Sequence, residues 1–220
     1  MNDKFSLERF ELYIIKNKGL TMICSRPEFG RFEMINQLAE KTNEISGKKT
    51  ILFSLEMTKY GCSRFLGYPP KYIIIDTYDI TEIDIQETIL QYENVSYIFI
   101  DYIELLSPQL IARLSELANE TGVHFIVGSQ LSRACADLPE HKPTLAFFEE
   151  FVSEHQLKYP TMKSIDMLAF LWRPHKCERG IGIASAYSLH SQGDVIIAKN
   201  NFGLTGHVKV TYKKKRRRFV

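Results

Sequence analysis

The chain has 220 residues, 45% of them hydrophobic, and a formal net charge of +2. That length and apolar share fit one domain with a sizeable core. No apolar run approaches the ~20 residues needed to span a bilayer, which excludes a membrane-spanning helix, and MNDKFSLERF has neither the basic nor the apolar region of a secretory leader.

In chain order, Ser6 caps an expected helix over Leu7 to Lys16, whose apolar residues Leu7, Phe10 and Ile14 recur at helical spacing. Leu20 to Cys24 reads as the first strand. Arg31 to Ser46 follows as a helix stopped by Gly47. Further strands are expected at Thr50 to Leu55, Tyr72 to Ile75, Tyr97 to Ile100 and Val123 to Gly128, with helices between them at about Thr58 to Leu66, Thr81 to Gln91 and Pro108 to Thr121. The last of these has Ser107 as cap, Pro108 as first residue and Gly122 as end. Runs that are apolar throughout suit a parallel sheet covered on both faces. After Gln130 the alternation changes: Leu131 to Pro143 reads as polar loop and Thr144 to Leu157 as helix. Met167 to Trp172, Asp194 to Lys199 and His207 to Tyr212 then read as strands, the last two joined by the turn Asn200 to Gly206.

The cysteines, Cys24, Cys62, Cys135 and Cys177, show no C-x-x-C spacing and suit reduced thiols in a cytoplasmic chain better than a disulfide framework or a zinc site. His175 lies close to Cys177, but one such pair is too few ligands for a metal centre.

The stretch Gly19 to Phe32, GLTMICSRPEFGRF, has the shape of a phosphate-binding loop between a strand and a helix. Such a loop ends Gly-Lys-Ser/Thr, because the glycine lets backbone N–H groups face phosphates, the lysine reaches the β/γ-phosphates and the hydroxyl holds Mg²⁺. Here Gly30 is present, but Arg31 stands at the lysine position and Phe32 at the hydroxyl position.

Four further segments follow in order: ILFSLE (Ile51 to Glu56), YIFIDYIELL (Tyr97 to Leu106), VHFIVGSQLSR (Val123 to Arg133) and VIIAKNNFGLTGHV (Val195 to Val208). Together with RPEFGRF they resemble the C-terminal motor domain of DnaB-type replicative helicases, whose pattern is RP-x-x-GKT, FSLEM, IDYLQL, SQLSR and IAK-x-R-x-G-x-TG. The resemblance runs from about Gly19 to Phe219. It implies an α/β, RecA-like P-loop NTPase fold, a largely parallel twisted sheet with helices on both faces, with ATP and Mg²⁺ as cofactors.

By the same resemblance, Ser25, Arg26, Pro27, Glu28, Phe29, Gly30, Arg31 and Phe32 form the nucleotide loop. Glu56 takes the place of the residue that activates water, Asp101 that of the Mg²⁺-holding carboxylate, and Gln130 that of the γ-phosphate sensor. Lys199 and Asn201 fall where the family places a lysine and an arginine finger that complete a neighbour's site. Three departures argue against catalysis. Arg31 does not place a point charge as a lysine does. Phe32 lacks the Mg²⁺-ligating hydroxyl and is expected to put a ring where ion and phosphate would lie. Asn201 lacks the guanidinium, which is worth on the order of a thousandfold in turnover. The family's primase-docking N-terminal domain and linker helix have no counterpart in the sequence, which argues against ring assembly. The stretch SEHQLKYPTMKSID, where the family has its DNA-facing loops, does not match well enough to assign residues there.

Lys213, Lys214, Lys215, Arg216, Arg217 and Arg218 carry six positive charges, and removing them from the net +2 leaves residues 1–212 at −4. Such a basic tail attracts phosphate backbones without reading sequence, so DNA is a candidate partner, with a solubility tail as the alternative. Three functional readings stand at this point. One is a domain with a degenerate ATP site, acting as an accessory of replication or mobile-element proteins, and the second is an ATP-dependent helicase or translocase. The third is a small-molecule α/β enzyme, which no G-x-S-x-G or similar constellation supports.

Overall fold

A computed structural model describes residues 6–155, 158–174 and 191–220. His175 and Cys177 lie outside the described residues. Nine strands form one sheet among the described residues: β1 (Gly19–Ser25), β2 (Lys49–Ser54), β3 (Ile73–Asp76), β4 (Val95–Asp101), β5 (His124–Gln130), β6 (Met167–Trp172), β7 (Gln192–Asn200), β8 (Gly206–Lys213) and β9 (Arg218–Phe219). Their order is β3-β2-β4-β5-β1-β6-β7-β8-β9. Every pairing from β3 to β6 is parallel, and those from β6 to β9 are antiparallel.

Six α-helices cover the sheet among the described residues: α1 (Leu7–Lys16), α2 (Arg31–Ser46), α3 (Lys59–Leu66), α4 (Glu82–Gln91), α5 (Pro108–Thr121) and α6 (Leu145–Glu154). Successive strand residues point to opposite faces, so each central strand feeds two cores. Met22 of β1 packs in a cluster with Ile85 of α4, Leu114 of α5 and Phe148 of α6. Its neighbour Ile23 packs in the other, with Ile14 of α1, Leu38 of α2 and Cys62 of α3. This is why β1 is buried along its whole length and reads as a continuous apolar run.

The local signals were sound. Ser6 Oγ accepts from Arg9 N at 3.1 Å and Ser107 Oγ from Leu110 N at 3.2 Å, capping α1 and α5 where expected. Gly47, Gly67 and Gly122 end α2, α3 and α5 in the left-handed conformation. The segment read as polar loop, Leu131 to Pro143, contains two short 3-10 turns and buries Leu131 and Cys135. α6 ends at Glu154, earlier than expected.

The C-terminus is the main correction. Instead of trailing in solvent, residues 213–220 make a tight 3-10 turn and return as β9 against β8. Thr211 and Val220 exchange backbone hydrogen bonds of 2.7 and 3.0 Å. Phe219 is 1% exposed and its N–H donates to Gln37 Oε1 at 2.8 Å, tying the hairpin to α2. The charge run concealed an apolar anchor at its end.

His124, at the start of β5, is buried between β1 and α1, with Nε2 2.8 Å from Thr21 Oγ1 and Nδ1 3.0 Å from the Ile14 carbonyl. The carbonyl can only accept, so Nδ1 carries the proton and Nε2 accepts from Thr21. Burial lowers its pKa from 6.5 to about 4, with the backbone hydrogen bonds opposing. Because the folded pKa is depressed, the unfolded chain binds more protons between these values. Its contribution is therefore complete above about pH 6.5 and lost as pH falls toward 4, a difference of roughly 3 kcal/mol. Thermal unfolding compared at about pH 7 and about pH 5 should show a fall in Tm that His124→Gln flattens; an unchanged slope in the variant would place the acid sensitivity elsewhere.

Candidate functional site

The parallel strands deliver their carboxyl ends to one edge of the sheet, and the loop after each strand lines a common crevice there. β5 lies between β1 and β4 in the sheet. Ser25 is in register with Gln130 and Ser54 with Asp101. Residues 25–32, Glu56, Asp101 and Gln130 are thus brought together as the motifs suggested. Gly30 precedes α2 at φ 98°, and an added Cβ there would meet the Phe219 ring at 2.8 Å, so the turn needs glycine for both conformation and space. A cavity of about 860 Å³ opens beside this loop, bordered by Ser25, Gly30, Glu56 and Gln130.

Arg31 does not point into open space. Its Nε donates to Asp101 Oδ1 at 2.7 Å, and another guanidinium nitrogen lies 3.6 Å from Glu56 Oε2. The guanidinium carbon lies 4.5 Å from the centre of the Tyr102 ring, a cation–π contact that fills its remaining face. The Asp101 side chain is 4% exposed and that of Arg31 12%, so the pair is shielded from solvent. Burial pushes the Asp101 carboxyl above the usual carboxylate range and Arg31 pulls against it. Burial likewise opposes charge on Arg31, but the carboxylates around it, Asp101 foremost with Glu104 and Glu56, together outweigh that and hold the guanidinium charged. Glu56 is raised by burial as well, with Arg31 again opposing.

Phe32 behaves differently from expectation. Its ring is 9% exposed and packs edge-on against Phe65, ring centres 5.4 Å apart, within the core under α2 and α3. It forms part of the cavity wall, and the group beside Asp101 is the Arg31 guanidinium.

β5 makes room for this pair. A Cβ on Gly128 would stand 2.3 Å from Asp101 Oδ1, 2.6 Å from Ile35 Cδ1 and 3.1 Å from Arg31 Cδ. Gly128→Ala should therefore displace the ion pair and cost about 1–3 kcal/mol by overpacking. Denaturant unfolding checks this, and wild-type stability in the variant would mean the pair moves freely.

Several participants escaped the sequence reading. Glu104 Oε1 accepts from Ser129 Oγ at 2.7 Å, Gln130 N at 2.8 Å and Tyr159 OH at 3.2 Å, which holds the end of β5 in place. Burial raises its pKa while the hydrogen bonds from Ser129 and Gln130 oppose. The available signal was Glu104 standing where the IDYLQL pattern has glutamine. Tyr102 matches the tyrosine of the same pattern, whereas Arg173 and Tyr212 gave no signal.

Lys199 and Asn201 are not in this crevice. Asn200 pairs with Met167 at the opposite end of the sheet from the loop. Lys199 Nζ donates to the carbonyls of Met162, at 2.6 Å, and of Ile165. Asn201 Nδ2 donates to Asp166 Oδ1 at 3.1 Å, whose Oδ2 accepts from Leu20 N at 3.0 Å. Both side chains thus serve contacts within the chain.

The residues present do not fit a bound Mg²⁺. A divalent ion needs oxygen ligands, and here the only hydroxyl position of the loop's end is Phe32 while Asp101 Oδ1 already holds a cation 2.7 Å away. Among the described residues no cluster of three or more His, Cys, Asp or Glu side chains is placed to hold a metal ion.

A doubly wound sheet with a phosphate-type loop after β1, a carboxylate at the end of β4 and a glutamine at the end of β5 between them defines a RecA-like P-loop domain. The DnaB-like helicase C terminal domain family matches residues 69–220, and the chain belongs to that family. None of the curated proteins matches the chain. Among solved structures, it is similar to one described as an ATPase domain, with 20% identity, a TM-score of 0.75, and coverage of 92% of this chain and 84% of that one. It is equally similar, at 20% identity and TM-score 0.75, to a DnaB-like replicative helicase whose structure addresses interactions with primase; there it covers 92% of itself but 57% of the other chain. The family match begins after the loop and after Glu56.

Proposed function

We propose that this chain is a DnaB-type domain whose nucleotide site no longer hydrolyses ATP and that acts as an accessory or regulatory protein of DNA replication or of a mobile element. The observation that supports this is the ion pair between Arg31 and Asp101 at 2.7 Å, with Glu56 at 3.6 Å from the same guanidinium. Phosphoryl transfer in P-loop enzymes depends on a metal held by the carboxylate and the loop hydroxyl and on a lysine over the phosphates. Here one residue neutralises the carboxylate, faces the would-be base and vacates the lysine's place. Asn201 supplies no guanidinium to a neighbour.

The competing reading, an ATP-dependent helicase or translocase, is favoured by the retention of Glu56, Asp101 and Gln130 around one crevice. The two diverge in one assay. ATPase activity with Mg²⁺ and single-stranded DNA is expected at background, the same in wild type and Glu56→Gln. Mg²⁺-dependent turnover that Glu56→Gln abolishes would establish the helicase reading instead. Arg31→Lys combined with Phe32→Thr should recover metal-dependent nucleotide binding with little turnover.

DNA contact is assigned to the C-terminal basic residues. Lys213, Lys214, Lys215 and Arg216 are exposed, whereas Arg217 and Arg218 are half-buried, Arg218 lying 3.7 Å from Glu40. Four available cations predict a salt slope of log K against log salt of roughly −3 to −4. Replacing the four with glutamine should flatten it; an unchanged slope would move DNA contact to another face.

A further inference from the structure

The cavity beside the loop has a second wall that none of the sequence motifs describes. The C-terminal hairpin carries Lys214 and Arg217 to it, and Tyr212 and Arg173 border the same space. Arg217 is held there, its guanidinium carbon 4.0 Å from the centre of the Phe65 ring, and Arg173 lies 4.6 Å over Tyr212. Two of the acidic residues on the cavity are engaged: Glu33 accepts from Tyr212 OH at 2.7 Å, and Glu56 faces Arg31. On the loop side, the first turn of the 16-residue α2 presents backbone N–H groups that no residue of the helix can accept.

We propose that this cavity binds a nucleoside polyphosphate without a divalent cation, and that Lys214 and Arg217 of the C-terminal hairpin supply the positive charge that a metal ion and a loop lysine would otherwise supply. The proposal rests on the reading that Arg31 is locked onto Asp101. The lock engages both the metal's carboxylate and the loop's cation at the cavity's edge, yet the cavity remains open at about 860 Å³, within the range of sites for ligands of this size. Charge-assisted hydrogen bonds from lysine and arginine to phosphate are roughly twice as strong as neutral ones, which favours a phosphate at this wall. Phe65, Phe32 and Tyr212 add apolar walls suited to a base. The hairpin, fixed by the burial of Phe219, places the two cations in the same chain as the loop they face.

Calorimetric titration of the intact chain with ATP and with inorganic tripolyphosphate, each in EDTA and in excess Mg²⁺, tests this. Equal or stronger binding in EDTA is expected, weakened about tenfold or more in Lys214→Glu and in Arg217→Ala. Lys214 is exposed, so Lys214→Glu leaves packing intact and remains informative if Arg217→Ala unfolds. Tripolyphosphate binding without any gain for ATP would overturn the nucleoside part, and affinity unchanged in Lys214→Glu would overturn the role of the hairpin. Absence of binding by either probe would overturn the site while leaving the non-catalytic reading intact. Binding that requires Mg²⁺ would overturn the site, and if accompanied by turnover the non-catalytic reading as well.

Discussion

Arg31→Ala is expected to destabilise the protein by about 3–5 kcal/mol, the cost of leaving a buried charge without its partner. Asp101 is 3% exposed, and the Arg31 contact at 2.7 Å is the side-chain hydrogen bond that answers its burial. In a P-loop domain whose cation faces a ligand, removing that cation would leave folding stability nearly unchanged, so stability itself distinguishes a structural arginine from a phosphate-binding one. The double variant Arg31→Met, Asp101→Asn should recover most of the loss, because removing both charges removes the desolvation penalty as well as the attraction. Urea unfolding of Arg31→Met, Asp101→Asn and their double variant provides the cycle, alongside Arg31→Ala. A single variant within about 0.5 kcal/mol of wild type would show that the pair is not formed in solution.

Phe219→Ala should cost about 3–5 kcal/mol, and deletion of residues 213–220 at least as much. The ring is almost completely buried, lies 5.1 Å from that of Tyr212 and packs on the glycine that opens α2. Its loss would leave a cavity at the junction of hairpin, loop and helix, so the loop should loosen along with the hairpin. Hydrogen exchange of the amides of residues 30–37 would report that coupling. Wild-type stability after the deletion would mean that the hairpin is an appendage, and would also remove the wall on which the polyphosphate site depends.

What the sequence determined by itself was whatever depends on local pattern. Apolar runs bounded by caps and glycines placed β1, β2, β4 and β5 and the helices between them, and the order of five short motifs gave the RecA-like class. Residues at strand ends were also legible, because a parallel sheet sends all its carboxyl ends to one edge: Glu56, Asp101 and Gln130 had to meet the loop after β1 whatever the intervening sequence. Tertiary structure alone decided what those side chains do to one another. That Arg31 turns onto Asp101 depends on the space left by Gly128 on a strand almost a hundred residues further along and on the ring of Tyr102 beneath it, none of which has a periodic signature. The hairpin at the C-terminus was illegible for a related reason. Its six charges dominate any local reading, while one apolar residue after them, Phe219, decides the conformation by finding a buried position against α2 that only the folded chain provides.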